Sequence, residues 1–485
     1  MTTISSGAFA SSKLGTISGD TTVEHVNQST SISGSTGSEN LTVETNLSLW
    51  TNDTSNPPTL SNLDTVTVGG NLAPVNAVFQ DINAFDVTGN SVIKNTSFSA
   101  GSLKTGGLKI TGTSSVSLEK LTVSSTAAIG KSDDTADNPK LFIASGDLTG
   151  VSGKFQMLSG TVSTSADKLT FNTLEYSGGT LGKASGIDQT TESVDVETKQ
   201  TLTVKSGNLS VKNLTSSVVY NQGTITTSGD MTVAGTYYAQ GESSHATVGG
   251  NLKISGHISN NNPTTTSGAH AFTVAGNASV EGQLSGDLSI TVGTEGDINT
   301  GSLTVAGFMG NTGSIKATSV TATGMSFGEL NGSMEADTFT LGGMAWIDNG
   351  GDENWNVGKI VMKDSVGSDQ DTITLHFQNG AYNIGDVSFE DEKTSAITLL
   401  TTEENASTSI TAGTVSVAEG KNGSVSFYDN KSNGTLSATI SNLEVGANAR
   451  FGISAVAEED HDPGSASVSI TNAALKDGSS LVIRP

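Results

Sequence analysis

Short runs in which apolar and polar residues alternate recur along the whole chain. In each run the outer residues are apolar and the middle residue is polar, as in LTV at 202–204, LKI at 252–254 and FTV at 272–274. Such alternation places successive side chains on opposite faces of a β-strand. Long stretches with the spacing of an amphipathic helix, bounded by capping residues, are missing. The pattern therefore predicts an all-β chain.

The alternating runs belong to a repeated unit. The fragment VTVGGNL at 66–72 returns as ATVGGNLKI at 246–254, and FTVAGNASV at 272–280 has the same form. Gly-Asn and Gly-Asp corners should supply the positive φ that a sharp turn requires. Their spacing predicts a unit of about 20 residues in which some markers have been lost. The second residues of these corners are Asn71, Asn90, Asp147, Asn208, Asp230, Asn251, Asn277 and Asp287.

A unit of this length with two or three short strands fits one coil of a parallel β-helix. A β-sandwich would need loop lengths that do not repeat, and a propeller blade takes about twice this period. Proline, which removes a ladder hydrogen bond, occurs only 7 times. We therefore predict a right-handed parallel β-helix (solenoid) of roughly 20 coils with short loop excursions. The alternative is an array of small β domains.

The repeat is not uniform along the chain. Residues 1–40 are rich in Ser, Thr and Gly with weak alternation, and they predict an N-terminal entry segment or cap. Residues 41–485 predict one elongated β-helix, interrupted by excursions near 131–140 and 346–355.

Composition excludes several classes of function. The net charge is −25, and the chain has only two arginines, Arg450 and Arg484. Nucleic acids and anionic membranes are therefore not expected as partners, because both require clustered cations. The absence of cysteine excludes disulfides, zinc–thiolate sites and cysteine catalysis. No run of about 18 apolar residues is present, so we expect no membrane-spanning helix in this chain.

Taken together, these features resemble the passenger domain of a bacterial autotransporter of type V secretion. The features are the V-x-G-N-L-x-V units, the abundant Thr, Ser, Gly, Asn and Val, the lack of cysteine, the scarce proline and the acidic balance. The resemblance covers nearly the whole chain from about Leu41. It implies a secreted protein on the bacterial cell surface that acts as a structural adhesin in attachment, biofilm formation or self-association. Its implied partners are glycans or proteins of host or neighbouring cells, or copies of itself.

The chain departs from this family at both ends. Autotransporters carry a signal peptide and a translocator barrel, but residues 1–10 (MTTISSGAFA) lack a basic n-region and a long apolar segment. The end of the chain lacks the alternating strands of a barrel. We expect a passenger without these flanking parts. The departures leave two alternatives open, a self-assembling extracellular fibre or phage tailspike-like component, and a polysaccharide-active β-helix enzyme.

Catalytic motifs do not select any residue. The patterns G-x-S-x-G, H-E-x-x-H and the P-loop are absent, as is the G-D-S-G of passenger serine proteases. The sequence separations between His245, His257 and His270 are little more than half the length of a predicted coil. We interpret these histidines as solvated turn residues rather than stacked metal ligands, and we do not predict an enzyme.

Acidic residues concentrate in four predicted loops. Adjacent carboxylates usually form solvated turn faces, and the alternate strand positions that could aim two carboxylates at one glycosidic bond hold mainly Thr and Ser. No cofactor is predicted, with an isolated calcium site in one of these loops as the alternative, because hard oxygen ligands are plentiful. The four groups are Asp133, Asp134 and Asp137; Asp348, Asp352 and Glu353; Glu390, Asp391 and Glu392; and Glu458, Glu459, Asp460 and Asp462.

The tryptophans point to a candidate binding site. Of the three, Trp50, Trp346 and Trp355, the last two bracket the Gly-rich acidic excursion. Indole rings provide contact area while carboxylates can orient sugar hydroxyls or hold a cation. Alternatively, the tryptophans fill a wide part of the coil. The predicted binding residues are Trp346, Asp348, Asp352, Glu353 and Trp355.

Overall fold

The computed structural model forms two compact units, Met1–Gly229 and Asp230–Pro485. The structure describes residues 2–3, 14–131, 137–189, 191–240, 244–260, 270–282, 284–286, 288–292, 302–305, 309–311, 315–322, 328–329, 334–348, 355–363, 372–401, 406–429, 434–457 and 465–484. These residues contain strands and turns but no helix.

The strands of the first unit are short at the start and longer further along. They are β1 (Thr2–Thr3), β2 (Thr16–Ile17), β3 (Thr21–Val23), β4 (Val26–Gln28), β5 (Ile32–Gly34), β6 (Asn40–Val43), β7 (Leu47–Leu49), β8 (Thr59–Val68), β9 (Val78–Val87), β10 (Asn90–Lys94), β11 (Ser97–Thr105), β12 (Gly107–Thr111), β13 (Ser115–Val123), β14 (Ala127–Ile129), β15 (Lys140–Ile143), β16 (Asp147–Leu148), β17 (Phe155–Met157), β18 (Thr161–Thr164), β19 (Lys168–Tyr176), β20 (Thr180–Lys183), β21 (Asp195–Val204), β22 (Asn208–Val211), β23 (Leu214–Asn221) and β24 (Thr224–Thr227).

The strands of the second unit lengthen toward its C-terminal end. They are β25 (Met231–Val233), β26 (Tyr237–Ala239), β27 (His245–Val248), β28 (Leu252–Ile254), β29 (Ile258–Asn260), β30 (His270–Val274), β31 (Ala278–Val280), β32 (Leu284–Gly286), β33 (Leu288–Val292), β34 (Ser302–Val305), β35 (Met309–Asn311), β36 (Ile315–Ala322), β37 (Gly328–Glu329), β38 (Met334–Leu341), β39 (Met344–Asp348), β40 (Trp355–Met362), β41 (Thr372–Gln378), β42 (Ala381–Phe389), β43 (Thr394–Thr401), β44 (Ser407–Val417), β45 (Asn422–Asp429), β46 (Thr435–Val445), β47 (Arg450–Ala457), β48 (Ser465–Leu475) and β49 (Ser480–Arg484).

Every strand pairing whose register the structure describes is parallel, and the one antiparallel contact is an isolated bridge between Lys183 and Glu192. Each strand pairs with the equivalent strand of the next coil, as in the order β6-β8-β9-β11-β13. The predicted all-β parallel β-helix is therefore confirmed as a parallel β-solenoid.

The core of the first unit consists of inward residues that stack from coil to coil. Val66, Phe85, Leu103 and Leu121 are register partners in successive strands, and each is at most 1% exposed. Residues between them along each strand point outward, because side chains alternate across a strand. The steps between these partners match the predicted repeat, so the repeated unit is the length of one coil here.

The coils of the second unit grow in length. Val387, Val415 and Leu443 are register partners, and the pairing continues from Leu443 to Ala473. These steps are longer than those from Val66 to Leu121, because β44, β46 and β48 and the strands between them are long. Longer coils also occur in the first unit, where Ile32 pairs with Leu60 and Ala127 pairs with Phe155. The predicted period therefore does not extend to every coil. The Gly-Asn and Gly-Asp corners that defined it all lie before residue 290.

The glycines at the corners have a different role from the predicted one. Positive φ occurs at Gly146 and Gly207, as expected, but not at Gly70 or Gly89. A Cβ at Gly89 would lie 2.6 Å from a backbone oxygen of the preceding coil. Glycine is required at such corners because the backbones of adjacent coils approach closely.

Asparagine side chains link these corners. The Asn90 N–H donates to Asn71 Oδ1 at 2.8 Å, and in the second unit the Asn277 N–H donates to Asn251 Oδ1 at 3.0 Å. Each bond joins one coil to the next. The asparagine after the corner glycine therefore satisfies a backbone donor that the turn leaves unpaired.

Candidate functional site

Trp346 lies on the outward face of β39. Its neighbours Ala345 and Ile347 face the core and are 5% and 0% exposed, so the strand alternation turns the indole away from it. Trp346 is half-buried and stacks on its register partner His376 in β41, with ring centroids 3.9 Å apart and planes at 8°. The two stacked rings form an aromatic pair on the outward face of the sheet that contains β39 and β41, where the following register partners carry hydroxyls.

The His376 imidazole is neutral at physiological pH. Both of its ring nitrogens are buried and have no hydrogen-bond partner among the described residues. Burial lowers the pKa of His376 to about 4, because removing water disfavours the charged form. The Trp346–His376 stack therefore carries no charge above that pH.

Trp355 starts β40 and is only 6% exposed. Its ring meets Phe339 and Phe377 edge-to-face, with centroids 5.9 Å away in both cases. The ring thus lies in the core, and of the two bracketing tryptophans only Trp346 reaches the outward face. Asp348 ends β39, whereas Asp352 and Glu353 lie outside the described residues.

The histidines do not all occupy solvated turns. His257 is exposed between strands, but His270 begins β30, is 3% exposed and shares a hydrogen bond with Ser244 Oγ. The interpretation as a turn residue was wrong for His270, because its ring packs inward at a strand end. Among the described residues, no three His, Asp or Glu side chains are grouped so that they could hold a metal ion.

The acidic groups fall in different environments. Asp137 is 4% exposed, accepts a hydrogen bond from the Gly112 N–H, and has one buried oxygen without a partner in the described structure. Glu390 accepts from Ser388 Oγ at 2.8 Å and lies 3.8 Å from Lys359 Nζ. Asp133, Asp134 and the group at 458–462 lie outside the described residues.

The outward faces of the second unit carry ladders of small polar residues. Thr398, Ser426 and Ser454 are register partners in three successive coils, and the Ser426 and Ser454 hydroxyls are 3.0 Å apart. On the other sheet Ser388 pairs with Ser416, but Ser388 is only 6% exposed and the next register partner is Glu444. Because each rung of the first ladder repeats at the strand spacing of about 4.8 Å, that ladder offers hydroxyls at regular intervals.

Two open grooves run across these faces. The first, which we call the acidic groove, measures about 650 Å³ and is lined by Glu390, Glu419, Glu444 and Lys476 among others. Glu390 already pairs with Lys359, and the groove crosses the corners at which β42, β44 and β46 end.

The second groove, which we call the arginine groove, measures about 340 Å³ on the outward face of β43, β45, β47 and β49. Both arginines of the chain line it. The polar lining comprises Thr394, Asn422, Ser424, Arg450, Ser454 and Arg484. Sequence reasoning missed this groove, although the concentration of both arginines near the end of the chain was a visible signal.

The chain matches no protein-family model, no curated protein and no solved structure. Within the described part of the chain there is no helix long and apolar enough to cross a membrane.

Proposed function

We propose that this chain is a secreted, surface-displayed structural adhesin of a bacterium, the passenger of an autotransporter, which attaches the cell to glycans or proteins of another surface. The observation that carries the proposal is the ladder Thr398–Ser426–Ser454, in which the same type of polar side chain repeats on successive coils. A sugar polymer is also a repeating array of hydroxyls. A ladder therefore suits an extended ligand that makes many similar contacts.

Energetics support the same role. Each hydroxyl contact contributes little net free energy, about 1 kcal/mol. Repetition along a face, and many copies on one cell, multiply such weak contacts through effective concentration. The grooves are open on the faces of the solenoid, which favours a long ligand that lies across several coils over a small enclosed substrate.

Attachment can be tested with two matched double variants. Beads coated with the purified chain should bind to glycan-coated or cell-coated surfaces more than uncoated beads do. Thr398→Glu with Ser426→Glu should reduce this binding, because adjacent carboxylates repel each other and disrupt the ladder. The control is Thr42→Glu with Thr67→Glu, an equally half-buried register pair in the first unit.

Both variants should keep the β-type circular dichroism of the wild type. Equal binding by coated and uncoated beads on every surface would overturn the adhesin proposal. Display is tested separately, by expressing the full reading frame and adding protease to intact cells. Protection of the chain from that protease would overturn its placement on the cell surface.

A further inference from the structure

The cations of this chain are used in two different ways. Lysines make ion pairs throughout the described part of the chain. Arg450 and Arg484 make none among the described residues, although the chain has 48 carboxylates. The two arginines instead line one groove. Their placement is therefore not explained by pairing within the described structure.

The register of β47 and β49 sets the positions of both arginines. Arg450 pairs with Ser480 at one end of the groove, and Arg484 pairs with Ser454 at the other. The two arginines are four positions apart along the strands, which corresponds to roughly 13 Å. Gly452 lies between them on the floor of the groove.

The lining between the arginines suits a sugar. Ser424 and Ser454 supply hydroxyls, and Asn422 supplies an amide that can donate and accept. A Cβ at Gly452 would come no closer than 3.4 Å to another side chain, so the floor is flat and open. The described lining contains no carboxylate.

Guanidinium groups recognise carboxylate and sulfate through two parallel hydrogen bonds. We propose that the arginine groove binds a linear acidic glycan, with the two arginines holding two acid groups that are more than one sugar ring apart. This inference rests on the proposed function for its choice of a glycan. The charge of −25 on the whole chain disfavours densely charged polyanions such as nucleic acids.

Calorimetry on the full chain tests the groove with defined probes. The probes are a hexamer of galacturonate, a neutral glucose hexamer and a hexaglutamate peptide. We expect the galacturonate hexamer to bind and the other two to bind at least tenfold more weakly. Arg450→Gln and Arg484→Gln should each weaken binding roughly tenfold, because each removes a charged hydrogen-bond pair. Arg484→Lys, which keeps the charge but loses the planar fork, should recover only part of the affinity.

The matched control is Lys363→Gln, which removes one exposed cation outside the groove. It should leave galacturonate binding unchanged. Equal binding of the neutral hexamer, equal binding of hexaglutamate, or full binding by the double arginine variant would each overturn the proposal.

Failure of this inference can be told apart from failure of the proposed function. If the double arginine variant attaches to cells as the wild type does and does not bind galacturonate, the adhesin stands and the groove is not its contact. If galacturonate binds but the chain attaches to no surface, the groove stands and the adhesin does not.

Discussion

Acidification should destabilise the second unit through His376. Above pH 6.5 the imidazole is neutral in both the folded and the unfolded chain. Because burial lowers the folded pKa to about 4, the unfolded chain takes up a proton between pH 6.5 and 4 while the folded chain does not. The stabilising contribution is therefore complete above pH 6.5 and is lost as the pH falls toward 4.

The lowered pKa of His376 sets an upper limit of about 3 kcal/mol on the free energy of unfolding that is lost at pH 4. His376 is only half-buried as a residue, so solvent screening reduces the expected loss to roughly 1–2 kcal/mol. His376→Phe should abolish this pH dependence, because phenylalanine keeps the stack on Trp346 and has no proton to gain.

Urea unfolding followed by circular dichroism measures the effect at pH 7, 5.5 and 4.5. The wild type should lose more stability than His376→Phe between pH 7 and pH 4.5. An NMR titration of the imidazole should show a midpoint near pH 4. Identical pH profiles for the two proteins, or an imidazole that titrates near pH 6.5, would refute the reasoning.

Four further predictions concern other parts of the chain. Hydrogen bonds from the Ser35 hydroxyl and from a backbone N–H of the same turn hold the pKa of Glu39 at about 2. Protonation of Glu39 should therefore destabilise the first unit only as the pH falls from 4.5 toward 2, and hydrogen exchange should detect this loss. Val274 is 0% exposed, so Val274→Asp should lower the free energy of unfolding measured in urea by about 3–5 kcal/mol. A conservative change at the exposed residue that precedes it should leave that free energy unchanged. Gly89→Ala should destabilise by about 1–3 kcal/mol through its backbone clash, while alanine at the open position Gly186 should be neutral in thermal melts. Residues 465–484 should exchange their amide hydrogens before the preceding coil does, because one side of their coil lacks a neighbour among the described residues.

The strands and their faces were predictable because the alternation is local. In the run FTV at 272–274 the outer residues are 2% and 0% exposed and the middle one is exposed, as the pattern predicts. The repetition of similar strands further indicated parallel stacking, since equivalent residues must then pair with each other. Both inferences need only the residues of one coil and of the next.

Features that depend on the distance between coils were not predictable in the same way. The sequence at a corner glycine such as Gly89 predicts a positive φ. In the structure, however, the close backbone of the preceding coil is what excludes a side chain at this position. The lengthening of the last coils also escaped prediction, because no Gly-Asn or Gly-Asp corner marks them.

The two tryptophans could have been separated by the parity of their strands. Trp346 lies between Ala345 and Ile347, so an inward pair of apolar residues leaves the indole outside. Trp355 begins the run Trp-Asn-Val, in which the outer residues are inward and the ring joins the core. Both tryptophans flank the same excursion, but the alternation in the strand on each side determines whether the ring faces the core or the outside.

Recognition in this solenoid depends on departures from its own repeat. A ladder of identical hydroxyls presents the same chemistry at every coil, so it can contribute affinity but cannot fix the position of a ligand along the face. Arg450 and Arg484 break the hydroxyl pattern within one groove, and they do so four strand positions apart. A ligand with acid groups at the matching separation would be held in one register, while the serine and threonine rungs on the same face would add contacts of lower specificity. The ladder and the arginine pair are therefore expected to act on the same extended ligand, and their variants should show coupled rather than additive losses of binding.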